Sequence, residues 1–159
     1  MIRNGHALVN RASYRNHFTI PSGYVEPGET AERAVAREFE EETGVAVRAG
    51  RLLLARHKVL RADESDVYLA FALEHAAGEP TAREPEIVEV RWVDVEEAPA
   101  ATWISELSRI AIRLAADPER RGWPRSSWSG GIAPGIASEL FHADLEEPGP
   151  STARAPAGR

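Results

Sequence analysis

Residues 38 to 42 read Glu38-Phe39-Glu40-Glu41-Glu42 and lie inside an alanine- and glutamate-rich run, Thr30 to Thr43. That composition favours a helix, with Thr30 placed to cap its start and Gly44 to close it in the left-handed conformation. At about 100° per residue, Glu38 and Glu42 fall on one line a single turn apart, and Glu41 lies within roughly 100° of both. Carboxylates sharing one helix edge repel each other, each pair costing about 0.2–0.5 kcal/mol even when exposed. A cation between them turns that repulsion into binding. Oxygen ligands of this kind select hard divalent ions, magnesium first and manganese as a substitute. A glutamate run on its own is more often a solvated face, so its surroundings decide.

Those surroundings are specific. The helix is entered from Gly23-Tyr24-Val25-Glu26-Pro27-Gly28-Glu29. Pro27-Gly28 suits the central positions of a type II turn, where glycine supplies positive φ. Val35 and Phe39 sit beside the carboxylate edge and can anchor the helix to a sheet. Glu29 and Arg37 have the charges to fasten the turn to the helix.

The rest of the chain must supply that sheet. Ala7 to Val9 and Phe18 to Ile20 read as short extended pieces, separated by a polar loop, Tyr14 to His17. Val45 to Leu60 and Asp66 to Leu73 suit strands, and Gly78-Glu79-Pro80 marks a turn. Ile87 to Val95 alternates, with Val88, Val90 and Trp92 on one face and Glu89, Arg91 and Val93 on the other, which predicts a half-buried strand. Trp103 to Ala116 places Ile104, Leu107, Ile110 or Ala111, and Leu114 at helical spacing, and Asp117-Pro118 ends it. Trp92 and Trp103 read as packing residues. The mixture of strands and helices predicts an α/β or α+β layered sandwich over residues 1–117.

Beyond Asp117 the chain is rich in Gly, Pro and Ser. Residues 118–146 read as an extension docked on the domain, with Ile136 to Leu145 as its ordered element. Residues 147–159 read as disordered. Trp123 and Trp128 in this extension can dock back, cover a site or meet a partner, and spacing does not choose.

With 159 residues, 43% of them apolar, the chain fits one domain with an ordinary core. A net charge of −6 argues against backbone-driven binding to nucleic acid and against a polybasic membrane patch. An acidic protein that handles phosphates needs a cation between itself and its substrate. Cysteine is absent, which removes thiolate chemistry and disulfides. The start has no signal-peptide core and no run is long enough to span a bilayer, so a cytoplasmic location is the expectation.

The stretch Gly23 to Val45 resembles the Nudix box of the Nudix hydrolases. That pattern is Gly, five residues, Glu, seven residues, Arg-Glu, a bulky apolar residue, any residue, Glu-Glu, any residue, Gly and another apolar residue. Gly23, Glu29, Arg37, Glu38, Phe39, Glu41, Glu42, Gly44 and Val45 fill every fixed position. The layout from Ala7 to about Ala116 is similar to the family's domain as well. The resemblance implies an α/β/α sandwich with a mixed β-sheet. It implies that Glu38, Glu41 and Glu42 hold Mg2+, with Mn2+ as substitute, and that Gly23, Glu29, Arg37 and Gly44 are structural. It implies a small-molecule nucleotide substrate, cleaved when a metal-activated water attacks a phosphorus.

A carboxylate must take that water's proton. The candidates are a box glutamate, Glu38 or Glu41, or one from the loop Ala82 to Glu86. Glu86 is preferred there, with Glu84 and Glu89 behind it. Arg11, Tyr14, Arg15 and His17 are candidates for gripping phosphate or stacking on a base, and His57 and Tyr68 are weaker ones. The leading substrate reading is a nucleoside diphosphate joined to a second group, as in ADP-ribose, a nucleotide sugar or a dinucleotide. The alternatives are a nucleoside triphosphate pyrophosphatase of the sanitising kind and a non-catalytic nucleotide sensor. Members of the family carry a further strand before the segment matching Ala7 to Arg11. Little precedes Arg3-Asn4-Gly5 here, so either the start is misassigned or another subunit completes the sheet, and the bare edge favours a homodimer.

Overall fold

A computed structural model of the chain describes residues 1–83 and 85–117, and the backbone of 125–127 and 138–142. Among the described residues, seven strands and two α-helices follow in the order β1 (Ile2–Arg3), β2 (His6–Ala12), α1 (Ala31–Thr43), β3 (Ala46–Arg61), β4 (Glu64–Ala77), β5 (Ile87–Asp94), α2 (Glu106–Ala116), β6 (Arg125–Ser127) and β7 (Ser138–His142), with a 3-10 turn at Ala98–Ala100 before α2. They form a three-stranded sheet, β1-β2-β5, and a four-stranded sheet, β4-β3-β7-β6. The ladders between these strands are antiparallel. A parallel contact occurs at the isolated bridge between Phe18 and Ile104.

The layers follow from which side chains meet. Phe39 of α1 packs with Leu8, Val45 and Val47, and Trp92 joins this cluster partly buried. Ala7, Val9 and Val93 point to the opposite face and meet Ile104 and Ile112. Leu53, Leu54 and Ala70 do the same for the second sheet against Ala111 and Leu114. One helix therefore covers each face, the α/β/α layering that the resemblance implies. It also explains why Ala7-Leu8-Val9 is apolar without alternation, since both faces of β2 are covered.

Three elements differ from their sequence reading. The chain before Ala7 is a hairpin. Asn4 (φ 51°) and Gly5 (φ 76°) supply the two positive φ values of a type I′ turn, and they pair Ile2 with Ala7 and Arg3 with His6. In β5 the buried residues are Ile87 and Val93, on the face assigned to Glu89 and Arg91. Arg91 is at home there because its guanidinium lies over the rings of Phe18 (4.7 Å) and Trp103 (5.3 Å). Helix α2 begins at Glu106 rather than Trp103. The Trp103 carbonyl accepts from the Phe18 N–H (2.9 Å), and Ser105 takes the cap, accepting from the Ser108 N–H (3.3 Å). Trp103 packs edge-on to Phe18 with ring centroids 5.2 Å apart.

In the C-terminal extension, β7 pairs with β3 from Leu54↔His142 to Lys58↔Ser138. Trp123, Trp128 and residues 147–159 lie outside the described residues. Among the described residues no helix is long and apolar enough to cross a membrane.

Candidate active site

Helix α1 is fixed at both ends by local chemistry. Thr30 accepts from the Arg33 N–H (3.4 Å), and Gly44 (φ 73°) donates its N–H to the Glu40 carbonyl (2.7 Å). The turn before it closes by the Glu29 N–H donating to the Glu26 carbonyl at 3.0 Å, with Gly28 at φ 82°. Arg37 ties turn and helix together. Its Nε and Nη2 donate to the two oxygens of Glu29 (3.1 and 3.0 Å), and Nη2 also donates to the Tyr24 carbonyl (3.0 Å). The hydrogen bond from Arg37 holds the Glu29 carboxyl below its usual range. The bonds from Glu29 and Glu38 in turn raise the Arg37 guanidinium above its ordinary value.

The three glutamates that share the helix edge meet different surroundings. Glu38 accepts from Arg37 Nη1 through Oε1 (2.9 Å). Its carboxyl lies so close to Gly23 that a Cβ there would stand 1.9 Å from Cδ. A side chain at position 23 would therefore displace the Glu38 carboxyl. Glu41 accepts from the same Arg37 Nη1 (3.0 Å) and is 58% exposed. It faces a shallow recess with Arg37, Glu40 and Arg83. Glu42 turns inward. Its Oε2 accepts from Asn10 Nδ2 and from the Ser22 N–H, both at 2.9 Å. Burial pushes its carboxyl up to about 7 against those two bonds, and the negative charges of Glu38 and Glu86 push the same way.

Among the described residues no three His, Asp or Glu side chains converge as a metal site, and Arg37 Nη1 bridges Glu38 and Glu41. Glu38 and Glu42 still fit a hard divalent cation. Oε2 of Glu38 and Oε1 of Glu42 take part in no hydrogen bond among the described residues. Glu42 is also desolvated, and among the described residues no cationic side chain is bonded to it, the condition in which a carboxylate gains most from a cation.

Beside α1 opens a cavity of about 600 Å³ whose lining includes Glu38, Glu86, Tyr14, Arg15 and Tyr68. Glu42 lies behind this surface, bonded to the cavity residue Ser22. Glu86 is placed by its turn, whose carbonyl accepts from the Ser13 N–H (2.8 Å). Arg15 stacks over Tyr14 with 5.2 Å to the ring centroid. Tyr68 sits under the Arg56 guanidinium (5.4 Å), and burial pushes its phenol up to about 12. Four exposed apolar side chains, Tyr14, Tyr24, Val25 and Val67, stand around this opening.

Other sequence candidates stand elsewhere. Arg11 donates to Glu89 (3.1 Å) across the β2–β5 ladder and is outside the cavity lining. Glu89 accepts from both Arg91 and Arg11, which hold its carboxyl low, so it is spent as a proton acceptor. His17 and His57 are exposed and do not line the cavity, and Glu84 is outside the described residues. Sequence reasoning missed Asn10. The available signal was a polar, strand-disfavoured residue directly following three buried apolar ones.

A model of the NUDIX domain matches residues 1–114. Over 95 residues the chain is 34% identical to the NAD-capped RNA hydrolase NudC of Photobacterium profundum, covering 60% of this chain and 35% of that protein. The chain spans between about a third and a half of the length of such curated relatives. Among solved structures, the E. coli ORF135 protein superposes with a TM-score of 0.59 at 23% identity, covering 74% of this chain and 87% of that one. A C. elegans Ap4A hydrolase binary complex gives 0.53 at 19% identity, covering 70% and 84%. Box, fold and family match agree, and the chain belongs to the Nudix hydrolase family.

Proposed function

We propose that this chain is a divalent-metal-dependent pyrophosphohydrolase acting on a nucleoside diphosphate joined to a second group, a dinucleotide such as NAD in the first place. One observation carries the reading. Glu38 and Glu86 line a single cavity that also has aromatic and guanidinium walls, with Glu42 directly behind it. A volume of about 600 Å³ is the size of ordinary small-ligand sites, and the resemblance to NAD-capped RNA hydrolases supports the dinucleotide class. The net charge of −6 gives no backbone-driven attraction to RNA, so the dinucleotide itself is the part placed in the cavity.

Glu38 and Glu42 would hold Mg2+ or Mn2+, and Glu41 joins them only by leaving Arg37. Bound there, the cation supplies charge neutralisation for the diphosphate and a more acidic water. The protein's own part is positional. Arg15 offers its guanidinium to a phosphate, and Tyr14, stacked on it, offers a face to a base. Glu86 takes the proton of the attacking water. The water oxygen bonds to one phosphorus, the bridging P–O bond breaks, and the second phosphate leaves with the bridging oxygen.

The test is a panel of NAD, NAD-capped RNA, ADP-ribose, Ap4A, a nucleotide sugar and dGTP with Mg2+. Two nucleoside monophosphates from NAD, at the highest kcat/KM of the panel, are expected. Pyrophosphate released from dGTP as the best reaction would replace this reading with the sanitising one. Tight binding without turnover of any substrate would leave a nucleotide sensor.

A further inference from the structure

Behind the cavity a chain of hydrogen bonds connects its wall to Glu42. Arg15 Nη1 donates to Thr19 Oγ1 (3.2 Å), Thr19 Oγ1 donates to Asn10 Oδ1 (3.2 Å), and Asn10 Nδ2 donates to Glu42 Oε2 (2.9 Å). The two middle residues are buried, Asn10 at 2% exposure and Thr19 at 9%. Their backbones are locked to each other by a reciprocal pair, the Asn10 N–H to the Thr19 carbonyl (2.8 Å) and the Thr19 N–H to the Asn10 carbonyl (2.9 Å). Side chains on such a bridge stay side by side.

The chain has a direction. Arginine can only donate, so Thr19 accepts from Arg15 and its hydroxyl proton is left to point at Asn10. With Oδ1 so engaged, the Asn10 amide presents its NH2 to Glu42. The opposite flip would set a carbonyl against a buried carboxylate and leave two acceptors facing each other, at a cost typical of unsatisfied buried groups. Glu42 thereby has Oε2 fixed by Asn10 and Ser22 and Oε1 left over.

We propose that Asn10 and Thr19 are positioning residues that set the orientation of Glu42 for cation binding, and that Arg15 is the cavity-side end of the relay. An anionic substrate that draws on Arg15 is then felt at Glu42 without touching it. This rests on Glu42 holding a cation, as in the functional reading above. Neither Asn10 nor Thr19 reaches the cavity lining, so both act through Glu42. Partners of this kind shift metal affinity by about 10–100-fold when removed.

The experiment uses the full chain and Mn2+ alone, with free Mn2+ followed by electron paramagnetic resonance and no substrate present. Thr19→Val keeps the branched shape and removes the hydroxyl, Thr19→Ser restores it, and Arg15→Met removes the cavity end. Thr19→Val is expected to raise the Mn2+ Kd about 10-fold, Arg15→Met to raise it less, and Thr19→Ser to return it towards wild type. In a Glu42→Gln background, Thr19→Val should bring no further loss, the non-additivity of groups acting as one unit. Melting temperatures separate these effects from unfolding. If Thr19→Val proves unstable, Arg15→Met at the open end carries the test with the same cycle. Wild-type Mn2+ affinity in both variants, or an equal loss with and without Glu42, overturns the relay alone. A wild-type chain that takes up no Mn2+ overturns the functional reading and this inference with it.

Discussion

The two helices cover opposite faces of the same sheets but are held in different ways. Helix α2 buries Ser108, Ala111, Ile112 and Leu114 and seats the last three across two hydrophobic clusters. Helix α1 buries Ala34, Phe39 and Thr43 and depends on charged clamps, with Arg37 holding Glu29, Glu38 and Glu41. One of its carboxylates, Glu42, is part-buried and has no cationic partner among the described residues. The helix that contributes to the proposed chemistry therefore sits in a less relaxed environment than the helix that only packs. Strain of this kind at one element, with the cost met by packing elsewhere, is a mark of a functional site. Substitutions on α1 should cost activity and spare the fold, and those on α2 should do the reverse.

The largest separation is expected at Glu42→Gln. The glutamine carbonyl can take the place of Oε2 and keep both hydrogen bonds, while the charge is gone. Activity should fall on the order of 1000-fold, since a metal ligand is worth several kcal/mol in the transition state. The metal-free protein should melt a few degrees higher, because a desolvated charge without a counter-ion has been removed. Added Mg2+ should raise the melting temperature of the wild type by mass action and leave the variant unmoved. A variant that keeps its activity, or one that melts well below wild type, breaks the contrast.

The converse is Leu114→Ala on α2. Leu114 is 1% exposed and packs against Leu53 and Ala70. Its truncation should cost about 2–5 kcal/mol of unfolding free energy, measured by urea titration. The kcat of the molecules still folded should stay within about twofold of wild type, a margin of roughly 0.4 kcal/mol. A large loss of kcat in folded protein would mean that α2 also sets the site's geometry.

Gly23→Ala lies between these. The new methyl needs the room held by the Glu38 carboxyl, and an exposed loop can shift without unfolding the core. A displacement of about 1 Å in a positioned group can cost up to about 100-fold. A loss of 10- to 100-fold in kcat/KM is expected, with denaturant stability within about 1 kcal/mol. Wild-type activity would show that Glu38 need not stand where it does.

The legibility of α1 and the opacity of its environment have one cause. Thr30, Gly44, the turn at Gly28 and the Glu29–Arg37 pair act within a few residues or one helix length, so their signals are local and readable in order. The caps bound α1 to within one residue. The fate of Glu42 depends on Asn10, 32 positions away, and on burial under a loop. Spacing along a helix gives direction but not depth. The three glutamates therefore read as equivalents, and the structure distributes them between a clamp, a cavity wall and the interior. Tertiary partners misled the reading of β5 as well. Arg91 looked like a solvent-facing residue until Phe18 and Trp103 supplied rings beneath it. The Asn4-Gly5 hairpin carries a local signal, since Asn-Gly is the strongest short hairpin cue.

The smallest effects compare the two N-caps. Thr30 accepts from Arg33 at 3.4 Å in an exposed setting. Ser105 accepts from the Ser108 N–H at 3.3 Å, and its hydroxyl donates to Ser108 Oγ at 2.7 Å. Ser108 is itself buried and accepts from the Ile20 N–H at 3.0 Å. The Ser105 cap thus joins α2 to the segment entering the cavity, while the Thr30 cap ends in solvent. Ser105→Ala should cost about 1–2 kcal/mol and Thr30→Ala about 0.5 kcal/mol, the two ends of the usual range for lost caps. Chemical denaturation of both variants measures the difference directly. If Thr30→Ala proved the costlier, α1 would draw more of its stability from its own first turn than its few buried residues indicate. The division of labour between the helices would then rest on the carboxylates alone.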